Sequence, residues 1–285
     1  MGTLYIVGTP IGNLEDVTMR ALRVLREVDL IAAEDTRRTA RLLQHYSIAT
    51  PATSLHEHNE RGKSPHLIRK LLDGASIAVV SDAGMPLVSD PGALLVRAAR
   101  EAGIPVQVVP GPSAVTAALA GAGISGPFAF LGFPPASGKS RRAWLGELGR
   151  TTAVMTVVFF ESPHRLTKTL KAAVELLGNR PIIVARELSK VFESLVERPI
   201  SEFLADDAPP RGEYVVVVPH ENVRQDPAVI GRGAPGASDL MAEFGEMTEN
   251  EGLKPKAAAK ALAAKYGLPA GDIYRLCARG REQGL

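Results

Sequence analysis

Short apolar runs rich in Val and Ile recur along most of the chain, each followed by a turn of Gly, Pro and small polar residues and then by helical periodicity. In the first 110 residues the runs are Leu4–Gly8, Asp29–Ala33, Ile77–Ser81 and Val106–Val109, with helical patterns around Val17–Arg26, Arg37–Gln44, Ser64–Leu72 and Pro91–Ala102. Strands that alternate with helices return to a sheet by crossing over, so they pair in parallel and bury both faces. The spacing predicts an α/β fold with a mostly parallel N-terminal sheet. In such sheets ligands sit beyond the carboxyl ends of the strands, which makes the strand-exit loops the segments to read for function.

A second series follows Pro110-Gly-Pro112. It has a helix near Ser113–Ala120, apolar runs at Phe128–Gly132, Val154–Phe160, Ile182–Ala185 and Tyr214–Val218, and helices at Arg141–Leu148 and Leu166–Leu177. Phe192–Arg198 alternates in part and reads as a further strand. This predicts a second α/β domain with a mixed sheet. From Glu221 to Ser238 periodicity fades, and Gly231, Gly233, Pro235 and Gly236 cluster as in a linker. Helical patterning then returns, first acidic (Asp239, Glu243, Glu246, Glu249, Glu251) and then basic. The expected organisation is an N-terminal α/β domain over 1–111, a C-terminal α/β domain over 112–221, a linker over 222–238 and a small helical module over 239–285.

With 285 residues, 45% of them hydrophobic, the chain can bury a core without staples. Lys and Arg number 33 against 31 Asp and Glu, so nucleic-acid binding has to come from a local patch rather than from overall charge. Cys277 is the only cysteine, which excludes an intramolecular disulfide or a cysteine metal cluster and suits a reducing compartment. The start runs directly into strand-like sequence with no basic leader, and the longest apolar run, Ala153 to Phe160, is too short to span a bilayer. A soluble cytoplasmic protein is expected.

Several motifs mislead. Gly121-Ala-Gly-Ile-Ser-Gly126 and Gly231-Arg-Gly-Ala-Pro-Gly236 match the dinucleotide pattern, but neither lies between a strand and the start of a helix. They read as a helix C-cap and a hinge. Gly138-Lys-Ser140 imitates the end of a phosphate loop but lacks its first glycine; Lys139-Ser-Arg-Arg142 is then a solvated basic loop that can equally touch RNA phosphates. His56-Glu-His58 lacks the spacing of a metal pair and reads with Asn59, Glu60 and Arg61 as a polar loop or substrate-facing cluster. No metal is expected.

The strand exits carry more. They are Gly8-Thr-Pro-Ile-Gly-Asn13, Glu34-Asp-Thr-Arg-Arg38, Ser81-Asp-Ala-Gly-Met-Pro86 with Ser89-Asp-Pro-Gly92, and Pro110-Gly-Pro-Ser-Ala114. Small residues let the backbone approach a ligand while Pro stiffens the turn. Each alone is a common turn; the three that carry Gly and Pro, after the first, third and fourth strands, favour a ligand cleft when they share one sheet edge. Glu34-Asp35 beside Arg37-Arg38 is equally an ordinary helix N-cap.

Taken in order, LYIVGTPIGNLEDVTMRAL (Leu4–Leu22), AAEDTR (Ala32–Arg37), HEHNE (His56–Glu60), VSDAGMPLVSDPG (Val80–Gly92), VPGPSA (Val109–Ala114), FESPHR (Phe160–Arg165), ARELSK (Ala185–Lys190) and RGEYV (Arg211–Val215) resemble the tetrapyrrole-methylase-like, or class III, S-adenosylmethionine-dependent methyltransferases. The resemblance covers nearly the whole chain to residue 220. It implies two α/β domains with S-adenosylmethionine held between them, a homodimer, and 2′-O-methylation of a cytidine ribose in the decoding region of small-subunit ribosomal RNA, free or in the assembled subunit. Carried over by position, it implies donor contacts from Pro10, Ile11, Ser81, Asp82, Ala83, Gly84, Met85, Ser113 and Ala114, and from Phe160, Ala185 and Arg186. The Thr9-Pro10-Ile11-Gly12 form of the first loop departs from the glycine-rich form and speaks against a tetrapyrrole substrate.

Transfer to a ribose hydroxyl is an in-line displacement that a base would assist. Glu34, Asp35, His56, Glu60, Glu187 and, if deprotonated, Lys190 are the candidates, and sequence does not choose among them. Arg37, Arg38 and Arg186 are candidates to clamp phosphate, with His56, Asn59, Lys139, Arg141 and Arg142 as further RNA contacts. In the tail, Lys256–Lys265 reads as a helix, Gly267–Ala270 as a turn and Asp272 as the N-cap of a second helix through Arg279. Lys254, Lys256, Lys260, Lys265, Arg275, Arg279 and Arg281 face one acid, so the pair resembles a helix-turn-helix module that can bind phosphates; a hairpin packed on a dimer partner is the plainer reading. Its expected core is Leu262, Tyr266, Leu268, Ile273 and Leu276. The rivals are a tetrapyrrole methyltransferase on the same scaffold and a non-catalytic nucleic-acid-binding regulator.

Overall fold

The computed structural model describes residues 1–206, 212–220, 237–249 and 253–266, together with 270, 271, 273, 274 and 277. Residues 1–218 form one compact unit and 219–285 another. Strands β1 (Leu4–Val7), β2 (Leu30–Ala33), β3 (Ala52–Ser54), β4 (Ile77–Val80) and β5 (Val106–Val109) make a sheet in the order β3-β2-β4-β1-β5. All four pairings are parallel. Helices α1 (Met19–Glu27), α2 (Thr36–His45), α3 (Glu60–Leu72) and α4 (Ala93–Glu101) cover both faces. Because strand side chains alternate, Ile31, Ala33, Ala78 and Val80 meet Leu22, Leu25, Leu42 and Leu43 of α1 and α2. Ala32, Ile77 and Val79 meet Leu67, Leu71, Leu95 and Ala99 of α3 and α4. This double burial explains the unbroken apolar sequence of β4, every residue of which is buried.

Helix α5 (Ala114–Gly121) leads into a second sheet of β6 (Phe128–Phe130), β7 (Thr156–Glu161), β8 (Pro181–Arg186), β9 (Ser194–Pro199) and β10 (Tyr214–Val218), ordered β6-β7-β10-β8-β9. Only β6–β7 is parallel. β10 runs antiparallel to both β7 and β8, so these two point the same way, and the register aligns Glu161 and Arg186 with Tyr214. Their exits therefore share one edge with the entry to β10. Val115, Ala118 and Leu119 of α5 cover one face. Leu148, Leu170 and Ile200, from α6 (Gly138–Thr152), α7 (Pro163–Leu177) and α8 (Ile200–Ala205), cover the other. The architecture is α/β with one parallel and one mixed sheet.

Five elements differ from the sequence reading. β3 has no apolar run, being an Ala-Thr-Ser edge strand held by pairing with β2. α8 is a single short helix without caps from its side chains. α3 begins at Glu60 rather than Ser64 and tolerates Pro65 inside it, where the Ser64 hydroxyl bonds the Glu60 carbonyl in the same turn. Lys139-Ser-Arg-Arg142 is the first turn of α6 and not a loop, while Val154 stays outside β7 and exposed. The glycine run at 121–126 does end a helix: the Ala122 amide donates to Ala118 O and Gly123 takes φ +64°. The run at 231–236 lies outside the described residues.

In the second unit α9 (Ala237–Glu249) and α10 (Pro255–Tyr266) are described. Phe244, Ala258, Ala259, Leu262, Ile273 and Cys277 form its core. Lys254, Lys256 and Lys260 are exposed. Leu268, the proposed cap Asp272, and Leu276 lie outside the described residues, as do the side chain of Tyr266 and most of the second basic helix.

Candidate functional site

Backbone contacts draw the exits of β1, β4 and β5 into one floor. The Gly8 amide donates to Val109 O at 3.0 Å, and Thr9 and Gly84 exchange two bonds of 2.9 and 3.0 Å. The buried Thr9 hydroxyl donates to Ser81 O at 3.2 Å. A methyl group on Gly8 would lie 2.7 Å from both Gly111 Cα and Met85 Sδ, so the loops meet only because both positions lack side chains. The second sheet closes from above. A methyl group on Gly12 would meet Leu188 O at 2.6 Å, the Ser189 hydroxyl donates to Asp16, and the Glu187 side chain lies across Gly212.

Between these loops lies a cavity of about 730 Å³. Pro10, Ile11, Asp82, Ala83, Gly84, Met85, Ser113, Ala114 and Phe160 line it, as do Glu34, Arg38, Glu187 and Lys190. Phe133 and Phe160 pack with ring centres 5.2 Å apart and give the lining an aromatic face. Ser81 is buried beneath the floor, and its hydroxyl donates to Ala83 O. Ala185 is fully buried in the core, and Arg186 lies outside the lining with its Nε buried and unpartnered. Strain gathers in the same loops: Leu87, Ser89, Glu187 and Ser189 all take φ between +53° and +71° without being glycine.

Among the described residues five carboxylates, Glu34, Asp82, Asp90, Glu187 and Glu213, line the cavity against two cations, Arg38 and Lys190. Asp82 accepts from the Asp35 amide at 3.0 Å and pairs with Arg38 Nε at 3.4 Å. Glu34 accepts from the Asp82 amide at 3.2 Å, and burial raises its pKa. Glu187 pairs with Lys190 Nζ at 3.0 Å. Burial, reinforced by the charge of Glu34, pushes Asp90 up to about 7 despite the Ser81 hydroxyl beside it, which pulls the other way. Asp90 and Glu213 were not among the base candidates. Both sit in stretches already singled out, VSDAGMPLVSDPG and RGEYV, but Asp90 before Pro91 and Gly92 reads as a turn residue, and nothing local tells that it faces a cavity.

Residues 3–204 match the model of the Tetrapyrrole (Corrin/Porphyrin) Methylases. The chain belongs to that methylase family. Within it, the protein is similar to the ribosomal RNA small subunit methyltransferase I of Halalkalibacterium halodurans, 42% identical over 278 residues that span 96% of this chain and 94% of the relative. It is 48% identical to that of Escherichia coli O157:H7 over 231 residues, 79% of this chain and 80% of the relative. The uroporphyrin-III C-methyl transferase of Thermus thermophilus, solved in complex with S-adenyl homocysteine, has a TM-score of 0.54 and 20% identity, and covers 78% of this chain and 99% of its own. That likeness shows the shared fold.

The remaining expected contacts of this methylase-family chain take other places. Asp35 caps α2 and is tied to the exposed Arg37 by two side-chain bonds, which hold its carboxyl well below the usual range. Glu60 is buried and accepts from the amides of Leu94 and Leu95 at 2.7 and 3.2 Å, capping α4. His56 and Asn59 bond each other at the end of β3, with Lys63 on Ser54, outside the cavity lining. Lys139 and Arg142 are exposed. Arg141 corrects an expectation: it is buried and donates to Pro135 O and Thr169 Oγ1, both at 3.0 Å, so its guanidinium is spent inside the protein and cannot reach an RNA phosphate. Among the described residues no three His, Cys, Asp or Glu side chains group as metal ligands, and no helix is long and apolar enough to cross a membrane.

Proposed function

We propose that this chain transfers a methyl group from S-adenosylmethionine to the 2′-hydroxyl of a cytidine ribose in the decoding region of small-subunit ribosomal RNA, acting in the cytoplasm as a homodimer. The observation that carries the reading is the extent of the likeness. The family match stops at residue 204, whereas the ribosomal RNA methyltransferase relative matches 96% of the chain, so the similarity continues into the segment with exposed Lys254, Lys256 and Lys260. Lysines there suit phosphate contacts, which a small-molecule enzyme does not need.

The cavity fits the donor. Its volume lies within the range of small-molecule sites, its floor brings backbone close enough to grip a nucleoside, and its excess of carboxylates favours a sulfonium cation. The donor supplies a methyl group already activated by positive sulfur. The chain's own task is alignment, worth on the order of 7–11 kcal/mol when two reactants are held in attacking geometry. The Asp35–Asp82–Arg38 contacts lock the exits of β2 and β4 together, and Glu187 over Gly212 sets the opposite wall. Arg38 and Lys190, part-exposed in the lining and paired with Asp82 and Glu187, are the cations there that suit an RNA phosphate. The exposed edge strand β5, with Val108 turned to solvent beside a groove of Leu87, Val96 and Ile104, supports a dimer surface there. The family's own name keeps a tetrapyrrole precursor as the second reading.

Incubating the protein with methyl-labelled donor and isolated small ribosomal subunits tests this. Label in the RNA, within one alkali-resistant dinucleotide that begins with cytidine, is expected. Unlabelled RNA together with transfer to a porphyrin precursor overturns the reading.

A further inference from the structure

We propose that the turn tip Val191-Phe192 is a stacking platform for an unpaired base of the RNA substrate, with the Phe192 ring against the face of the base; the assignment rests on the reading of the neighbouring cavity as an RNA methylation site. Val191 is 94% and Phe192 78% exposed. They hold the two central positions of a turn closed by the Glu193 amide on Lys190 O at 3.0 Å. Gly, Pro, Asn, Asp and Ser ordinarily occupy such positions, because they supply the backbone angles or the local hydrogen bonds that a turn needs. A β-branched residue and an aromatic supply neither, and here both leave apolar surface in water. A local conflict of this kind marks a site kept for binding rather than for folding.

The tip is braced, and it springs from the cavity wall. A preceding turn, closed by the Lys190 amide on Glu187 O at 2.9 Å, shares Lys190 with it. The Ser189 amide donates to Glu193 Oε2 at 2.6 Å, and the Ser189 hydroxyl ties the loop to Asp16 beyond β1. Glu187, Leu188 and Lys190 of this same loop line the cavity, so the tip begins where the lining ends. A loop fixed in this way has little backbone freedom left to lose when a partner settles on it.

Charge decides what that partner presents. Arg38 and Lys190 each share their charge with a carboxylate, at 3.4 and 3.0 Å, and among the described residues the carboxylates of the lining outnumber its cations. Phosphate contacts alone are weak at such a wall, so an RNA strand held there needs a contact that does not depend on its charge. Stacking supplies one, since every base has a π-face. A protein partner fits less well. The two tip residues stand between Lys190 and Glu193, whereas a stable protein interface takes about 20–30 residues a side.

The experiment compares wild type, Phe192→Ala, Phe192→Leu and Phe192→Trp. It measures methyl transfer to small ribosomal subunits, co-sedimentation with those subunits at several salt concentrations, calorimetric binding of S-adenosylhomocysteine, and the oligomeric state of the free protein. Phe192→Ala is expected to weaken binding to the subunits by about 5–150-fold, the range for loss of one stacked base. Its affinity for S-adenosylhomocysteine stays within about twofold of wild type. The slope of log affinity against log salt is unchanged, because a stacked ring releases no counterion. Phe192→Trp restores binding and Phe192→Leu, apolar but without a ring, does not. A wild type that labels RNA while Phe192→Ala or Phe192→Leu matches its affinity for the subunits overturns the proposal alone. So does a Phe192→Ala protein that changes oligomeric state, which assigns the tip to a second copy of the chain. A wild type that binds donor but leaves RNA unlabelled overturns the functional reading, and this proposal with it.

Discussion

Gly84 takes φ +78° and trades two backbone bonds with Thr9, so the conformation and the pairing that form the cavity floor depend on the same residue. A branched side chain there is strained in the left-handed region before any contact is considered. Gly84→Val is expected to weaken S-adenosylhomocysteine binding more than tenfold by calorimetry. Gly62, in α3, offers the contrast: a methyl group there meets nothing within 4 Å. Gly62→Ala should leave that affinity unchanged and raise stability by about 1 kcal/mol through helix propensity. Both glycines stand in the same sequence, yet only the paired one sits in a Gly-Met-Pro turn after a strand. That local signal is enough to separate them, and the Ser81–Met85 loop was legible for this reason. Asp90 was not, since its neighbours Glu34, Asp82 and Glu213 come from three other parts of the chain.

Among the elements, α3 and α4 are joined by one buried carboxylate. Glu60 opens α3 and satisfies two amides of the first turn of α4, whose own N-cap is Gly92 with no side chain to do so. Glu60→Ala leaves those amides without that partner and should cost about 1–3 kcal/mol in denaturant unfolding, more than Glu60→Gln, which keeps an acceptor. A similar device fixes the exit of β6. Glu161 is fully buried, accepts from Thr169 and lies 3.4 Å from Arg165 Nε; Arg141 and Arg165 then hold the carbonyls of Pro135 and Pro134 next to cavity-lining Phe133. Sequence periodicity found the longer helices but not the short α8, and placed the starts of α3 and α6 late, at Ser64 and Arg141, because polar first turns carry no apolar rhythm. It missed β3 for the same reason: an Ala-Thr-Ser strand owes its place to the pairing with β2.

For the molecule as a whole, the division of labour between its two units is testable by salt. Lys254, Lys256 and Lys260 are exposed in the C-terminal unit. Replacing all three with Ala should leave S-adenosylhomocysteine affinity unchanged, weaken RNA binding, and reduce the slope of log affinity against log salt by about 2–3 in a filter-binding titration, if each lysine meets a phosphate. An unchanged slope would assign the basic tail to packing rather than to RNA. The order of strands and helices, the two-faced burial of β4 and the glycine turns at the strand exits are written in local sequence, because hydrogen-bond geometry and side-chain alternation act over a few residues. The cavity between the two sheets, the burial of Arg141 and the acidic surroundings of Asp90 are not. They depend on groups 28 to 123 positions apart meeting in space, and a carboxylate's charge is set by whichever partners the fold brings to it.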